Sequence, residues 1–268
     1  MNQELDYSQP IEIANGVYWV GFYDREAHLQ CNPYLILDNE EAVLIDGGSR
    51  PDFPTVMMKI LKAGVNPKMI NALIYSHYDP DLCGSIPNLE GIIAKPDLKL
   101  ISNKENHIFI SHYATKSEFV DIKKINYEYL FKSGRKLQFI LTPFAHAAGS
   151  FMTFDHATKT LFSGDLFGSY SRKWELYLRL TARCATCVQA KVCSRNHEPC
   201  QLYDIFTFHQ NVMPSGKALR YAMKQVNLLP FERIAPQHGS IIDKETAKLV
   251  LNRLHTLDRV GIDKFEDM

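Results

Sequence analysis

Ser76-His77-Tyr78-Asp79-Pro80-Asp81 begins at the last residue of the short, mainly apolar run 72–76. Such a run is typical of a buried strand, and polar residues begin where it ends. Histidine and aspartate then occupy every second position, at 77, 79 and 81. In an extended segment or a tight loop, side chains spaced in this way converge on one place. The stretch therefore predicts a group of metal-ligand side chains at the end of a strand.

Three further candidates occupy similar settings later in the chain. His146 lies in Thr-Pro-Phe-Ala-His-Ala-Ala-Gly-Ser, Asp165 in Phe-Ser-Gly-Asp, and His238 in Ala-Pro-Gln-His-Gly. Each follows a short apolar run and precedes loop residues, and functional side chains concentrate in loops that a rigid sheet holds. Taken singly, a histidine is more often structural or exposed than a ligand, and an aspartate is more often a turn residue. The joint pattern, in this chain order, favours the functional interpretation.

The combined motifs resemble those of the metallo-β-lactamase superfamily, whose fold is an αβ/βα four-layer sandwich with a binuclear metal site at one edge. Its hydrolases carry His-x-His-x-Asp-His, whereas the second position here is Asp79. A carboxylate at this position is similar to the His-x-Glu-x-Asp of the flavodiiron proteins and the related oxygen-binding diiron proteins. Phe-Ser-Gly-Asp-Leu-Phe-Gly and Ala-Pro-Gln-His-Gly are also close to that group. The resemblance spans roughly residues 11–171 and 204–257 of this α/β chain.

The resemblance implies a ligand set for two irons: His77, Asp79 and His146 for the first, Asp81 and His238 for the second, and Asp165 as the bridge. Two departures from the family pattern matter. Asp79 is one methylene shorter than the usual glutamate, so its bond or its backbone must adjust. Leu82 stands where many relatives have a histidine for the second metal. The second iron therefore either keeps an open position, which suits a diatomic ligand, or is weakly occupied.

The residue types favour iron over zinc. Three carboxylates and three imidazoles form a mixed, fairly hard donor set, which suits iron or manganese with open positions. Structural zinc prefers four closed ligands, often cysteines. Asp46, in Ile-Asp-Gly-Gly, is expected to accept a hydrogen bond next to the ligands, with a simple turn as the ordinary alternative.

Four of the six cysteines are grouped in a segment, residues 172–203, that we predict to be an insert within a single domain formed by residues 1–268. The spacing is C-x2-C-x5-C-x6-C, from Cys184 through Cys187 and Cys193 to Cys200. We predict a [4Fe–4S] cluster here, with structural zinc and then free thiols as the alternatives, because four thiolates in a short segment can bind either kind of centre. The family resemblance is silent on this segment. Nearby positive charges would offset a thiolate-bound cluster: Arg183, Lys191 and Arg195.

Composition excludes several classes of protein. The 268 residues carry 30 basic and 30 acidic side chains, so net charge offers no electrostatic case for binding nucleic acid or an anionic membrane. No apolar run approaches the roughly 18 residues of a membrane span, and the first residues lack the features of a signal peptide. The expectation is a cytoplasmic protein.

Periodicity predicts the following elements: paired strands within 11–48, strands at 72–76, 137–141, 151–154 and 160–163, and helices at 54–64, 216–227 and 245–257.

The function implied is that of a non-haem diiron protein that binds O2 or NO and, in one alternative, also reduces it. The protein would be a redox or gas sensor with an added iron–sulfur cluster. Sensor and reductase stay open as alternatives. In the flavodiiron enzymes that the chain resembles, a flavodoxin domain follows the metal domain and its flavin supplies electrons. No such domain is expected here, so an outside electron donor or the cysteine-bound cluster would replace the flavin, or the protein senses and feeds a signalling output domain. Relatives commonly form homodimers. The competing hypotheses are a zinc-dependent hydrolase of the same fold and a regulatory domain with structural metals.

Overall fold

The computed structural model describes residues 5–22, 29–113, 115–170, 174–187, 190–194 and 196–265. Within these residues, strands and helices are interspersed along the chain, as expected of an α/β protein. No helix formed by them combines the length and the apolar character that a bilayer crossing requires.

The first sheet is mixed. Its strands pair in chain order, antiparallel from β1 to β4 and parallel from β4 to β7. The strands are β1 (Ile11–Ala14), β2 (Val17–Trp19), β3 (Tyr34–Asp38), β4 (Glu41–Ile45), β5 (Ile70–Ile74), β6 (Lys99–Ser102) and β7 (Glu118–Asp121).

The second sheet has six strands in the order β13-β12-β11-β10-β9-β8. Its β11 and β12 run parallel, so the carboxyl ends of these two strands lie at the same edge. The strands are β8 (Glu128–Leu130), β9 (Lys136–Leu141), β10 (Phe151–Asp155), β11 (Thr160–Phe162), β12 (Arg233–Ala235) and β13 (Ile242–Asp243). The strands expected from the sequence at 137–141, 151–154 and 160–163 are therefore confirmed.

Seven α-helices accompany the sheets within the described residues: α1 (Phe53–Lys62), α2 (Pro80–Cys83), α3 (Ile86–Ile93), α4 (Lys104–Ile110), α5 (Gln201–Val212), α6 (Gly216–Asn227) and α7 (Lys244–His255). The bounds of α6 are those that periodicity predicts, and Ser215 caps its first turn by accepting a hydrogen bond from the Ala218 amide. The helix expected at 245–257 ends earlier, at His255. Helix α5 was missed, because it begins at Gln201, within the irregular cysteine segment, and buries a histidine, His209, on its apolar face.

The described residues form two compact units, each with its own apolar core. The first unit is drawn from 5–22, 31–139 and 155–158, and its core gathers side chains from β3–β6 and from α1 and α3. The second is drawn from 29–30, 140–154 and 159–265, and its core includes α5, α6 and α7. A buried ion pair lies in the first unit, where Arg135 donates two hydrogen bonds to the Asp155 carboxylate, at 3.2 and 2.6 Å.

Each unit holds one of the two tryptophans of the chain, and both are buried. In the first unit, the Trp19 indole N–H donates to the Asn32 side-chain oxygen over 2.9 Å. In the second, the Trp174 indole N–H donates to the Gly239 carbonyl over 2.7 Å. A buried indole N–H needs such an acceptor, so the first contact fixes the Asn32 side chain and the second fixes the backbone at Gly239.

Candidate metal centre

The loop that follows β5 carries three of the predicted ligands in the first unit. Asp79 has an extended backbone, and Pro80 then opens the short helix α2, where its missing amide N–H is no loss. Asp79 occupies the residue before the helix without using its carboxylate as a cap, and Asp81 lies in the first turn. His77 is 2% exposed, and its Nε2 lies 3.8 Å from Asp79 Oδ2. The loop thus brings His77 and Asp79 together, as the spacing predicts.

A relay of hydrogen bonds orients the His77 ring. Its Nδ1 lies 3.2 Å from the Ser76 hydroxyl, and that hydroxyl in turn lies 3.3 Å from both carboxylate oxygens of Asp46. Asp46 also accepts from the Ser76 amide over 3.1 Å. With Ser76 donating its proton to Asp46, the His77 Nδ1–H donates to the Ser76 oxygen, which leaves Nε2 as the metal-binding atom. Asp46 therefore acts next to the ligands, one hydrogen bond further away than a direct contact.

His146 lies in the second unit, in the turn that follows β9. Its backbone is left-handed, with φ of 81°, a conformation that costs a side chain about 1 kcal/mol and is kept where the surroundings demand it. The ring Nδ1 lies 3.4 Å from the Val212 carbonyl at the end of α5. A carbonyl can only accept, so Nδ1 carries the proton here and Nε2 is the atom available to a metal.

Asp165 and His238 are brought together in the second unit. They follow the parallel strands β11 and β12, and the distance from His238 Nε2 to Asp165 Oδ1 is 3.5 Å. Both side chains are 4% exposed. The His238 Nδ1–H donates to the Gln30 carbonyl over 2.9 Å, which again assigns Nε2 to the metal.

A further histidine, His209, is fully buried and supports the turn that carries Asp165. His209 Nδ1 donates to the Ile205 carbonyl over 2.7 Å, and its Nε2 accepts from the Phe167 amide over 3.0 Å. Both ring nitrogens are thus engaged in hydrogen bonds within the fold. Complete burial lowers the pKa of His209 to about 4, so the ring is neutral at pH 7 and can accept the amide hydrogen bond.

The donor set fits a pair of metal ions of intermediate hardness. It combines three imidazole Nε2 atoms with three carboxylates, which suits iron better than a closed thiolate site. Two ligands bound at about 2.1 Å to one ion are separated by about 3.0–3.4 Å. The pairs His77–Asp79 and His238–Asp165 are separated by 3.8 and 3.5 Å, longer than a hydrogen bond and close to that span.

Leu82 is not available as a ligand. Its side chain is fully buried in the apolar core of the first unit. The departure from the family pattern is therefore built into the packing, because replacing this leucine with histidine would place a polar ring in that core.

Sequence reasoning missed a sulfur beside one of the ligands. Cys31 is 8% exposed, and its Sγ lies 3.7 Å from Asp81 Oδ2. No spacing rule connects positions 31 and 81, since they are joined only by the folding of the first unit. The adjacent Asn32, which the Trp19 indole holds, could not be linked to this place from the sequence either.

The four cysteines of the 172–203 segment are half-buried in the second unit, and none of them forms a disulfide. Short backbone hydrogen bonds arrange the segment: the Cys193 amide donates to Glu198, and the Cys200 amide donates to Lys191. Burial raises the pKa of the Cys200 thiol, and the nearby sulfurs of Cys187 and Cys193 raise it further. Residues 172, 173, 188, 189 and 195 lie outside the described part of the chain, and Arg195, expected to offset cluster charge, is among them.

Arg253 of α7 is a positive charge near the cysteines that sequence reasoning did not identify. Its guanidinium donates to the carbonyls of Cys184, Ala185 and Cys187 over 2.9–3.4 Å. It also lies over the Phe206 ring, 5.5 Å from the centroid. Arginine suits this role because its planar fork of donors can bind several acceptors at once.

Residues 29–239 match the family model described as ODP family beta lactamase. The chain belongs to this family. Membership confirms the metallo-β-lactamase-like fold with flavodiiron-type motifs that the sequence predicts. The cysteine segment lies inside the matched range.

Comparison with curated proteins gives distant relatives of the ODP family chain. It is 27% identical over 240 residues to an uncharacterized protein of Methanocaldococcus jannaschii, and 24% identical over 266 residues to the nitric oxide reductase of Moorella thermoacetica. These matches cover 86% and 91% of this chain. The chain spans 56% and 60% of the length of these two relatives.

Solved structures share the fold of this ODP family chain. The peroxy diiron species of the chemotaxis sensor ODP has a TM-score of 0.75 at 24% identity, covering 96% of this chain and 98% of that chain. The rubredoxin oxygen:oxidoreductase from the anaerobe Desulfovibrio gigas has a TM-score of 0.76 at 19% identity, covering 92% of this chain and 61% of that chain. The architecture of mixed sheets with helices is therefore that of the flavodiiron core.

Proposed function

We propose that the chain is a non-haem diiron protein that binds O2 or NO. His77, Asp79 and His146 hold one iron, Asp81 and His238 hold the other, and Asp165 bridges them. The observation that carries the proposal is shared by the three histidines: each engages Nδ1 with an oxygen atom of its own unit. That arrangement is how proteins orient an imidazole toward a metal. The two units act in this proposal as one metallo-β-lactamase-like domain.

Two irons in this place supply one-electron chemistry and a position for a diatomic ligand. The chain's own side chains do the rest. The Asp46–Ser76 pair keeps the proton of His77 at Nδ1, and the Gln30 carbonyl does the same for His238. Asp165 and His238 are almost fully buried, which keeps bulk water from the bridging carboxylate.

We favour a redox or gas sensor, with the reductase as the second candidate. One structural neighbour is a chemotaxis sensor, which supports the sensor. One relative is a nitric oxide reductase, which supports the reductase. A reductase needs an electron donor, either an outside protein or a centre in the chain itself. A sensor needs an output domain. We also propose a homodimer in the cytoplasm, where a reducing environment suits six free cysteines.

The cysteine segment is proposed to hold a [4Fe–4S] cluster, with structural zinc as the alternative. Cys184, Cys187 and Cys200 pack against the core of the second unit, and Arg253 places a positive charge beside the first two. A cluster bound by four thiolates carries net negative charge, which this arginine would stabilise. The cluster would be the electron source that replaces a flavin.

Anaerobic purification followed by metal and sulfide analysis tests the proposal. We expect about six irons and about four acid-labile sulfides per chain, two irons in the main site and the rest in the cluster. Admission of O2, and of NO in a separate sample, should change the visible spectrum of the reduced protein. The matched variant His146→Ala should lose the response and keep the sulfide.

Three results would contradict this proposal. Two zincs without iron, together with ester or thioester turnover that His146→Ala abolishes, would establish the hydrolase instead. If the visible spectrum of the reduced, iron-loaded protein does not change on addition of O2 or NO, the metals are structural. Iron without sulfide would remove the cluster and leave the diiron site in place.

A further inference from the structure

The proposed second iron has fewer protein donors than the first. The first has His77, Asp79 and His146 in addition to the bridging Asp165, whereas the second has Asp81 and His238 with that bridge. Many relatives have a histidine ligand at the position of Leu82. Here the Leu82 side chain is fully buried among apolar side chains. A further donor for the second iron must therefore come from elsewhere in the chain.

Cys31 lies beside one of the two ligands of that iron. Its Sγ is 3.7 Å from Asp81 Oδ2, and both residues belong to the first unit. A thiolate at about 2.3 Å and a carboxylate oxygen at about 2.1 Å from one ion are separated by about 3.1–3.6 Å. The observed distance is close to that span.

The residue before Cys31 is bonded to the other ligand of the same iron. The Gln30 carbonyl accepts the Nδ1–H of His238 over 2.9 Å within the second unit. On the other side, Asn32 is buried and accepts from the Trp19 indole. Hydrogen bonds thus hold the residues on both sides of Cys31, Gln30 through its backbone carbonyl to a proposed ligand histidine and Asn32 through its side chain. Cys31 itself is buried between these two residues.

We propose that Cys31 is a further protein ligand of the second iron, bound through its thiolate. This inference rests on the proposed diiron function. On binding, the S–H bond breaks, the proton passes to solvent and the sulfur forms a bond to iron, with no change in oxidation state. The thiolate occupies the place that Leu82 leaves vacant in the ligand count. Its negative charge favours the ferric over the ferrous form of that iron, because added anionic ligands stabilise the higher charge.

The test compares the wild-type chain with Cys31→Ser and Cys31→Ala, and uses Cys83→Ala as the matched control. Cys83 is a buried thiol of the same unit, and its weak contact to the His77 carbonyl leaves the ring of that histidine untouched. In the oxidised wild type we expect a visible thiolate-to-ferric charge-transfer absorption. This band is isolated by subtracting the spectrum of oxidised Cys31→Ala from that of the oxidised wild type, because the absorption of the cluster cancels in the difference. Both Cys31 variants should lose this band and bind the second iron at least tenfold more weakly, while Cys83→Ala keeps both properties. Circular dichroism verifies that each variant is folded.

The outcomes separate this inference from the function beneath it. If Cys31→Ser keeps both the band and the two irons, Cys31 is not a ligand, and the diiron proposal stands without it. If His77→Ala removes no iron from the wild-type total, the diiron proposal fails and this inference fails with it. Loss of the band and of about one iron in both Cys31 variants, with a normal Cys83→Ala protein, supports the assignment.

Discussion

The strand-end loops and the cysteine segment present metal-ligand atoms in different ways. In the loops, the ligands follow regular strands, and each histidine is oriented by a hydrogen bond that does not depend on metal. In the segment, one short 3-10 turn at Ala182–Ala185 and a few backbone bonds hold half-buried thiols. The difference indicates that the fold preorganises the first site, whereas the second depends on what binds there.

The largest effect is expected from His77→Ala. This variant removes a ligand and the end of the Asp46–Ser76 relay at once. We expect main-site iron affinity to fall more than about a hundredfold, beyond the loss typical of an outer-shell change, while sulfide content stays normal. Iron and sulfide analysis of the same sample measures both. Equal loss of sulfide would show that the two regions are not independent.

The reciprocal change is Cys187→Ser. We expect it to remove most of the sulfide and the associated iron while about two irons remain in the main site. Because the segment has little regular structure, its amide hydrogens should also exchange faster in this variant than in the wild type. The prediction is contradicted if the amide hydrogens of the segment remain protected from exchange when the cluster is lost. The segment would then be as preorganised as the strand-end loops.

An intermediate effect is expected from His209→Gln, which tests the support of the Asp165 turn. The lowered pKa of about 4 means that the unfolded chain binds a proton below about pH 6.5, whereas folded His209 does not. The unfolding free energy of the metal-free protein should therefore fall as the pH drops from 6.5 to 4. The share due to His209 is about 3 kcal/mol, obtained from about 1.4 kcal/mol per pKa unit. Urea titrations across this range measure it.

The variant itself supplies the reference for that measurement. Glutamine does not titrate, so His209→Gln should lose this part of the pH dependence and keep the part due to other groups. His112→Gln, a change at an exposed histidine, serves as the control and should follow the wild type. Parallel curves for all three proteins would mean that folding does not lower the pKa of His209.

The smallest effect is expected from Arg253→Ala. Its guanidinium bonds to carbonyls of the segment are partly exposed, so their loss should lower the free energy of unfolding by about 1–2 kcal/mol. Amide hydrogens should also exchange faster in this variant, but only in residues near Cys184 and Cys187. Arg253→Lys should recover only part of the loss, because an ammonium group lacks the planar fork. A uniform effect across the chain would place the role of Arg253 in the core instead.

The sequence allowed the strand-end ligands to be recognised because each motif is local. His77, Asp79 and Asp81 are close in the chain, and His146, Asp165 and His238 each carry a short signature of their own. Cys31 and Arg253 lack such a signature. Their contacts join positions 50 and more than 60 residues apart, so they follow from tertiary packing alone.

The fold shows the same division. Strands and amphipathic helices with clear periodicity were predicted to within a few residues, and α6 was predicted with its bounds. Helix α5 was not, because an apolar face interrupted by His209 does not present a regular pattern. That histidine becomes compatible with burial only through the Ile205 carbonyl and the Phe167 amide, two partners that no sequence rule specifies.

The placement of the two indole rings gives this protein a built-in optical reporter. Trp19 is bonded to the residue after Cys31, and Trp174 to the residue after His238. Metal loading that shifts either backbone should alter ultraviolet-excited emission, with no added dye. Replacing one ring at a time with phenylalanine would then assign each change in brightness to one side of the centre.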